Sequence, residues 1–139
     1  MLRPTVPLIA LALLLAAAPA ASAGITGFKT PSRNIFCAYM VFGSERSLRC
    51  DISSTDNRPP AKPASCEFDW GQSFGLTPSG KGRRLCVSDT PMDPKFPVLG
   101  YGRTWKRGQF TCRSRQSGLR CTNPRGHGFE LSRSRQRVF

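Results

Sequence analysis

Three kinds of side chain in this sequence could do chemistry, and the spacing of each limits what that chemistry is. The only histidine, His127, sits between Gly126 and Gly128. As a general base it would need a nucleophile and an orienting acid. Ser88, Asp89 and Asp69 are the groups on offer, yet no Gly-x-Ser-x-Gly elbow occurs. The flanking glycines instead predict a tight structural turn, with the ring bonded to a neighbouring carbonyl. Asp69 and Asp89 are the second kind. Each lies three residues after a cysteine, Cys66 and Cys86. If those cysteines pair, the carboxylates approach each other, and two carboxylates flanking a groove are the machinery of sugar hydrolysis. The use favoured here is plainer: each accepts backbone N–H bonds in a turn or meets an arginine.

Cations are the third kind, and the most numerous. Net charge is +13 over 139 residues. Residues 24–102 hold ten Lys and Arg against seven acids, whereas residues 103–139 hold ten against Glu130 alone. Arg103, Lys106, Arg107, Arg113, Arg115, Arg120 and Arg125 cluster around Gly108–Phe129, with Trp105 and Phe110 interleaved. Such a field attracts anionic polymers or an envelope surface. Arginine suits this because guanidinium pairs bidentately with carboxylate and phosphate. For so small a chain, Trp105 and Phe110 are expected in the core rather than as stacking platforms. No signature of a DNA- or RNA-reading fold is present, so a sequence-specific nucleic-acid partner is not expected.

Cysteine catalysis is not expected, because all six cysteines have plausible partners. No C-x-x-C occurs and only one imidazole is available, so no metal site or cofactor is expected either. Residues 1–23 read as a secretory signal: Arg3, the apolar run Leu8–Ala18, Pro19, and Ala21-Ser22-Ala23 before the expected cut. The run is too short for a membrane span. The expected mature chain, residues 24–139, is then a secreted or periplasmic monomer with no transmembrane segment. Six cysteines in an exported chain predict a disulfide framework. Many pairings are possible, and sequential pairing is favoured: Cys37–Cys50, Cys66–Cys86 and Cys112–Cys121, each bracketing a hairpin.

The elements that must position these residues read as strands. Ile35–Phe42 is aromatic and β-branched, and Leu48–Ile52 alternates apolar with polar. Ser53–Ser65 is a Pro-rich surface crossing. Cys66–Gly71 is a short strand; GQSFGLTPSGKG has glycine and serine at turns, with Phe74 and Leu76 as inward contacts. Arg84–Val87 is a strand, Ser88–Pro97 a loop, and Val98–Gly102 a brief strand or turn. Gln109–Cys112, Leu119–Cys121 and Phe129–Ser132 are strands around a turn at Asn123–Gly128. Val138-Phe139 either packs back or frays. No window carries a helical period, and thirteen glycines and twelve prolines oppose one. The fold class is therefore all-β, a small disulfide-stapled sheet, barrel or sandwich of hairpins.

Two internal echoes suggest pseudo-equivalent halves. Phe36-Cys37 … Ser47-Leu48-Arg49-Cys50 parallels Phe110-Thr111-Cys112 … Gly118-Leu119-Arg120-Cys121. Pro31–Phe36 parallels Pro124–Phe129.

The pattern Pro31-Ser-x-Asn34-Ile35-x-Cys37-Ala38, Leu48-Arg49-Cys50-Asp51-Ile52, Cys66-x-x-Asp69-Trp70-Gly71, Cys86-x-x-Asp89-Thr90, Val98-Leu99-x-Tyr101-Gly102 and Gly126-His127-Gly128-Phe129 resembles a family of small exported bacterial domains of unknown function. The resemblance implies export, disulfides and a compact domain, and no site roles. It departs at Arg33, where glycine is usual, which questions a left-handed turn there. The functional expectation is a non-enzymatic binding or accessory module. A secreted glycan or cell-wall hydrolase using Asp69, Asp89 and His127 is the alternative, and a charge-driven inhibitor or antimicrobial effector is the third.

Overall fold

A computed structural model of the protein describes residues 25–139, so the expected signal segment lies outside the described residues. Ten strands run β1 (Thr26–Lys29), β2 (Ile35–Phe42), β3 (Glu45–Ile52), β4 (Asp69–Leu76), β5 (Arg83–Val87), β6 (Thr104–Arg107), β7 (Phe110–Arg115), β8 (Gly118–Thr122), β9 (Gly128–Leu131) and β10 (Gln136–Val138). The first five form one antiparallel sheet in sequence order, and the last five form another. The sheets do not close into a barrel. They pack face to face as a sandwich, with a single core cluster drawn from both.

Register makes the two sheets equivalent strand by strand. In sheet 1, Phe28, Cys37, Cys50 and Phe74 stand side by side across β1–β4. In sheet 2, Trp105, Cys112, Cys121 and Phe129 do the same across β6–β9. Equivalent members then meet across the core: Phe28 on Trp105 at 5.1 Å between ring centroids, and Phe74 on Phe129 at 6.1 Å. The cystine and Leu-Arg-Cys part of the first echo is therefore a real structural repeat, whereas Phe110 is the counterpart of buried Ile35 and not of Phe36. Aromatic pairs of this kind add to simple burial.

All three disulfides are sequential, as the hairpin reading predicts. Cys37 faces Cys50 and Cys112 faces Cys121 in direct register, with Cα separations of 4.0 and 4.1 Å. That separation belongs to a non-hydrogen-bonded antiparallel pair, where side chains approach closest. The sulfurs of Cys37, Cys50 and Cys121 lie within 4.8 Å of one another, so the two staples stack at the sandwich centre. A cluster of three sulfurs at that distance is the geometry of a metal site, but every one of these atoms is spent in a disulfide. Each closed loop stabilises the fold by about 3 kcal/mol in the chain-entropy account. Three disulfides fit an extracellular or periplasmic environment.

Several local readings change. The lead-in is itself a strand, β1, whose Phe28 is buried. The Gly- and Ser-containing stretch after Trp70 is not a turn; β4 runs through it to Leu76. Gly71, at φ +117°, absorbs a register irregularity between Trp70 and Phe74, and Gly75 leaves room for Leu85. Glycine in a strand signals a bulge or a close approach as readily as a turn. Val98–Gly102 forms only a parallel bridge from Val98 to Lys29. The C-terminal residues do not fray: β10 pairs with β9, and the Phe139 carbonyl accepts from Gly82 and Gly128.

The second echo is a likeness of turns, not of topology. Arg33 N–H donates to the Thr30 carbonyl, and Gly126 N–H to the Asn123 carbonyl. Both donors have positive φ, 56° and 76°. Arg33 thus adopts the left-handed turn without a glycine. However, one turn joins β1 to β2 and the other β8 to β9. The register partner of Phe129 is Cys121, which makes its counterpart Phe74 and not Phe36.

Candidate anion-binding groove

Strand alternation decides where the cations go. Along β7, Phe110, Cys112 and Ser114 are buried, while Arg113 and Arg115 are exposed on the outer face. On β8, Leu119 and Cys121 face in and Arg120 faces out. Register then lays Thr104, Arg113, Arg120, Glu130 and Arg137 in one outer row across sheet 2. Arg113 and Arg120 are direct cross-strand neighbours. Like charges so placed destabilise a sheet.

A groove of about 330 Å³ opens on this face, between the β7–β8 turn and the β9–β10 turn. Arg113, Arg115, Arg120 and Arg135 line it, with Glu130 as its single carboxylate. Glu130 is shared: Arg120 Nη1 donates to one oxygen, and Arg137 Nη2 reaches the other at 3.2 Å. Partial burial works against the Glu130 charge, but the bonds from Arg120 and Arg137 outweigh it and hold the carboxyl below its ordinary range. Arg120 and Arg137 also stack on the Phe139 ring, at 4.6 and 4.9 Å. Arg113, Arg115 and Arg135 make no ion pair among the described residues.

Of the seven cations expected to act together, three line the groove. Lys106 lies opposite Thr111 on the same outer face, one row further along. Arg107 pairs with Phe110 at the β6–β7 turn, and the Arg103 carbonyl accepts from Ser114; both residues are exposed but have core-face parity, out of line with the outer row. Arg125 is in the β8–β9 turn, at the other end of the strands from the groove. Arg135 was not anticipated. The signal was present in the alternating Ser-Arg-Ser-Arg before β10, and it becomes legible once that tail is read as a strand rather than a loose end. Phe110 is a buried core residue and Trp105, half-buried, packs against the core, while Tyr39 packs on Phe110 at 6.0 Å. The exposed aromatic near the groove is Tyr101.

The other candidate groups fall elsewhere. Asp69 and Asp89 do line a common depression, of about 490 Å³, on the sheet 1 side. His127 is not among its lining residues. His127 is fixed through its backbone: its N–H donates to Asn123 Oδ1 and its carbonyl accepts from Asn123 N–H. The turn reading holds, but the ring bond to a carbonyl does not occur among the described residues. Asn123 is the organising residue, since its Nδ2 also donates to the carbonyls of Thr77 and Gly80 at 2.9 Å each.

Asp89 belongs to a structural clamp. Buried Arg49 donates from Nε and Nη2 to the two oxygens of Asp51, at 2.9 and 3.1 Å, and from Nη1 to Asp89 at 2.8 Å. Thr90 Oγ1 donates to Asp51 Oδ2 at 2.8 Å. Burial opposes the Arg49 charge, yet the bonds to Asp51 and Asp89 prevail and raise its pKa. The hydrogen bond from Arg49 and then its charge hold the Asp89 carboxyl below the ordinary range. A general acid near neutral pH needs the opposite shift.

Residues 7–139 match a family of unknown function, DUF6636. The chain belongs to that family. No curated protein and no solved structure matches it. The membership carries no activity, so the site has to be argued from its own geometry. No helix among the described residues is long and apolar enough to cross a membrane.

Proposed function

We propose that the protein is a non-enzymatic binding module, exported through the segment 1–23, that holds an anionic polymer on the outer face of sheet 2. The observation that carries this reading is the outer row of that sheet. Arg113 stands directly opposite Arg120, and Arg115 and Arg135 open on the same groove, with one carboxylate among them. Arg120 is balanced by Glu130, but Arg113 finds no ion-pair partner among the described residues and faces Arg120 across the strands, where like charges repel. A ligand carrying several negative charges would turn the repulsion into attraction, with bidentate contacts to each guanidinium.

The test is retention on an immobilised polyanion across a salt gradient. The wild-type protein should elute well above the salt at which an uncharged protein leaves, because exposed pairs are screened by salt. Arg113→Glu, Arg115→Glu and Arg135→Glu together should elute early while keeping the three disulfides. Lys62→Glu with Arg58→Glu and Lys81→Glu, an equal charge change outside the groove, should have a much smaller effect. Equal losses from the two triple variants would reduce the reading to net charge alone.

A further inference from the structure

The groove on sheet 2 does not stop at the outer face. A second depression, of about 350 Å³, continues over the end of the sandwich toward the β1–β2 turn. Both are lined by Arg115, Ser117 and Ser132, so they adjoin at the β7–β8 turn and offer one extended surface. Its chemistry changes along its length. The outer-face part is guanidinium-rich. The end part is lined by the hydroxyl residues Ser117, Ser132 and Ser134, by Tyr101, which is 45% exposed, and by Asp56, whose charge is taken up by Arg133 at 3.1 Å. The side chains of Arg113, Arg115, Ser117 and Tyr101 make no side-chain hydrogen bond among the described residues, so their donors face solvent. Among the described residues, Tyr101 is the one large exposed apolar residue that lines either part. A surface built to enter a lipid bilayer presents several such residues beside its cations.

Building on the anion-binding reading above, we propose that the occupant is a linear acidic polysaccharide, with its acidic groups on Arg113, Arg115 and Arg135 and a sugar ring against Tyr101. A polyanion with no hydroxyls, such as polyphosphate, would use the guanidinium part and leave the rest idle. A glycan uses both: its charged groups take the fork-shaped donors, its hydroxyls meet Ser117, and its apolar ring face covers the tyrosine. Pockets that combine a few placed polar groups with an aromatic wall are the usual form of a small-ligand site.

The experiment compares fluorescence-labelled polygalacturonate and heparin oligosaccharides with inorganic polyphosphate of matched charge, at low and at moderate salt. Tyr101→Ala should weaken either glycan about three- to tenfold, the worth of one aromatic contact, and leave polyphosphate within about twofold. Tyr101→Phe, which keeps the ring, should retain most of the glycan affinity. Tyr101 is exposed and outside the strands, so neither change threatens the fold. If Tyr101→Ala leaves glycan and polyphosphate binding alike, the glycan assignment falls and the anion surface stands. If none of the three probes binds at low salt, both fall.

Discussion

Leu48-Arg49-Cys50 and Leu119-Arg120-Cys121 are the same tripeptide at the same register position of the two sheets, yet their arginines have opposite fates. The Arg49 side chain is 7% exposed and that of Arg120 is 50% exposed. The difference comes from what lies over each sheet. The outer row of sheet 1 reads Gly27, Ala38, Arg49 and Gly75. A Cβ on Gly27 would sit 2.5 Å from the Phe96 ring. Gly27 therefore makes room for the segment after β5, which lies against this face with Phe96 buried, while Gly75 makes room for Leu85 of β5. Arg49 ties its start down through Asp89, and hydrogen bonds between Lys29 and residues 97 and 99 tie its end. The equivalent row of sheet 2 reads Thr104, Arg113, Arg120 and Glu130, and among the described residues no such strap covers it. One arginine is a structural clamp; the other belongs to an open cationic face. The lesson is that a shared fold position does not assign a shared role. The neighbours that cover the position do.

The sharpest way to break the comparison is to remove each arginine in turn. Arg49→Ala leaves Asp51 buried without its partner, a loss of about 3–5 kcal/mol. The thermal midpoint of the oxidised protein should drop by about 10–20 °C. Arg120→Ala, an exposed pair, should move it by no more than about 2 °C. Similar shifts for both would show that the strap does not seal Arg49 from water.

Exchanging the residues of the two rows should have an intermediate effect. Gly27→Thr, which installs the residue found at position 104, forces the Cβ against Phe96 and the Cys37 carbonyl. About 1–3 kcal/mol of overpacking is expected in chemical denaturation. Unchanged stability would mean that the strap is loosely held.

Acid should loosen the clamp and spare the core. The Asp89 carboxyl is held below its ordinary value of 3.8, so its contribution is fully present above that pH. The contribution fades as pH falls through the lowered folded value. Protection factors of the amides at Ser88, Asp89, Thr90 and Met92 should therefore fall below about pH 4, ahead of those in the cystine-linked strands β2, β3, β7 and β8. Simultaneous loss of protection in all of them would contradict a separate strap.

The smallest effects concern local repulsion and strain. Arg113→Ala removes the like-charge pair with Arg120 and should stabilise the fold by a few tenths of a kcal/mol, while weakening polyanion retention. Arg33→Gly relieves a left-handed arginine and should raise stability by about 0.5–1 kcal/mol. Loss of stability on Arg113→Ala would mean that this residue is structural after all.

Much of the fold was legible because its signals are local. Each disulfide brackets a hairpin, so spacing and strand alternation lead to the same pairing. The β4 extension was not legible, because Gly71 and Gly75 look like turn residues until the neighbouring Pro59 and Leu85 side chains are in place. Within the groove, Arg113, Arg115 and Arg120 follow from alternation alone. Arg135 does not, since its place depends on β10 folding back onto β9.

The sequence by itself determined the all-β class, the basic C-terminal segment 103–139 and the repeat of Leu-Arg-Cys, and it favoured the sequential staples that the structure then fixed. These depend on neighbours within one hairpin or on composition. Only the tertiary structure decided which arginine is bound inward and which faces out. Arg49 meets Asp89 across 40 residues of chain, and no pattern within either tripeptide encodes that contact. Burial depends on what the rest of the chain lays over a residue, and that is settled only when the sheets and the strap have packed.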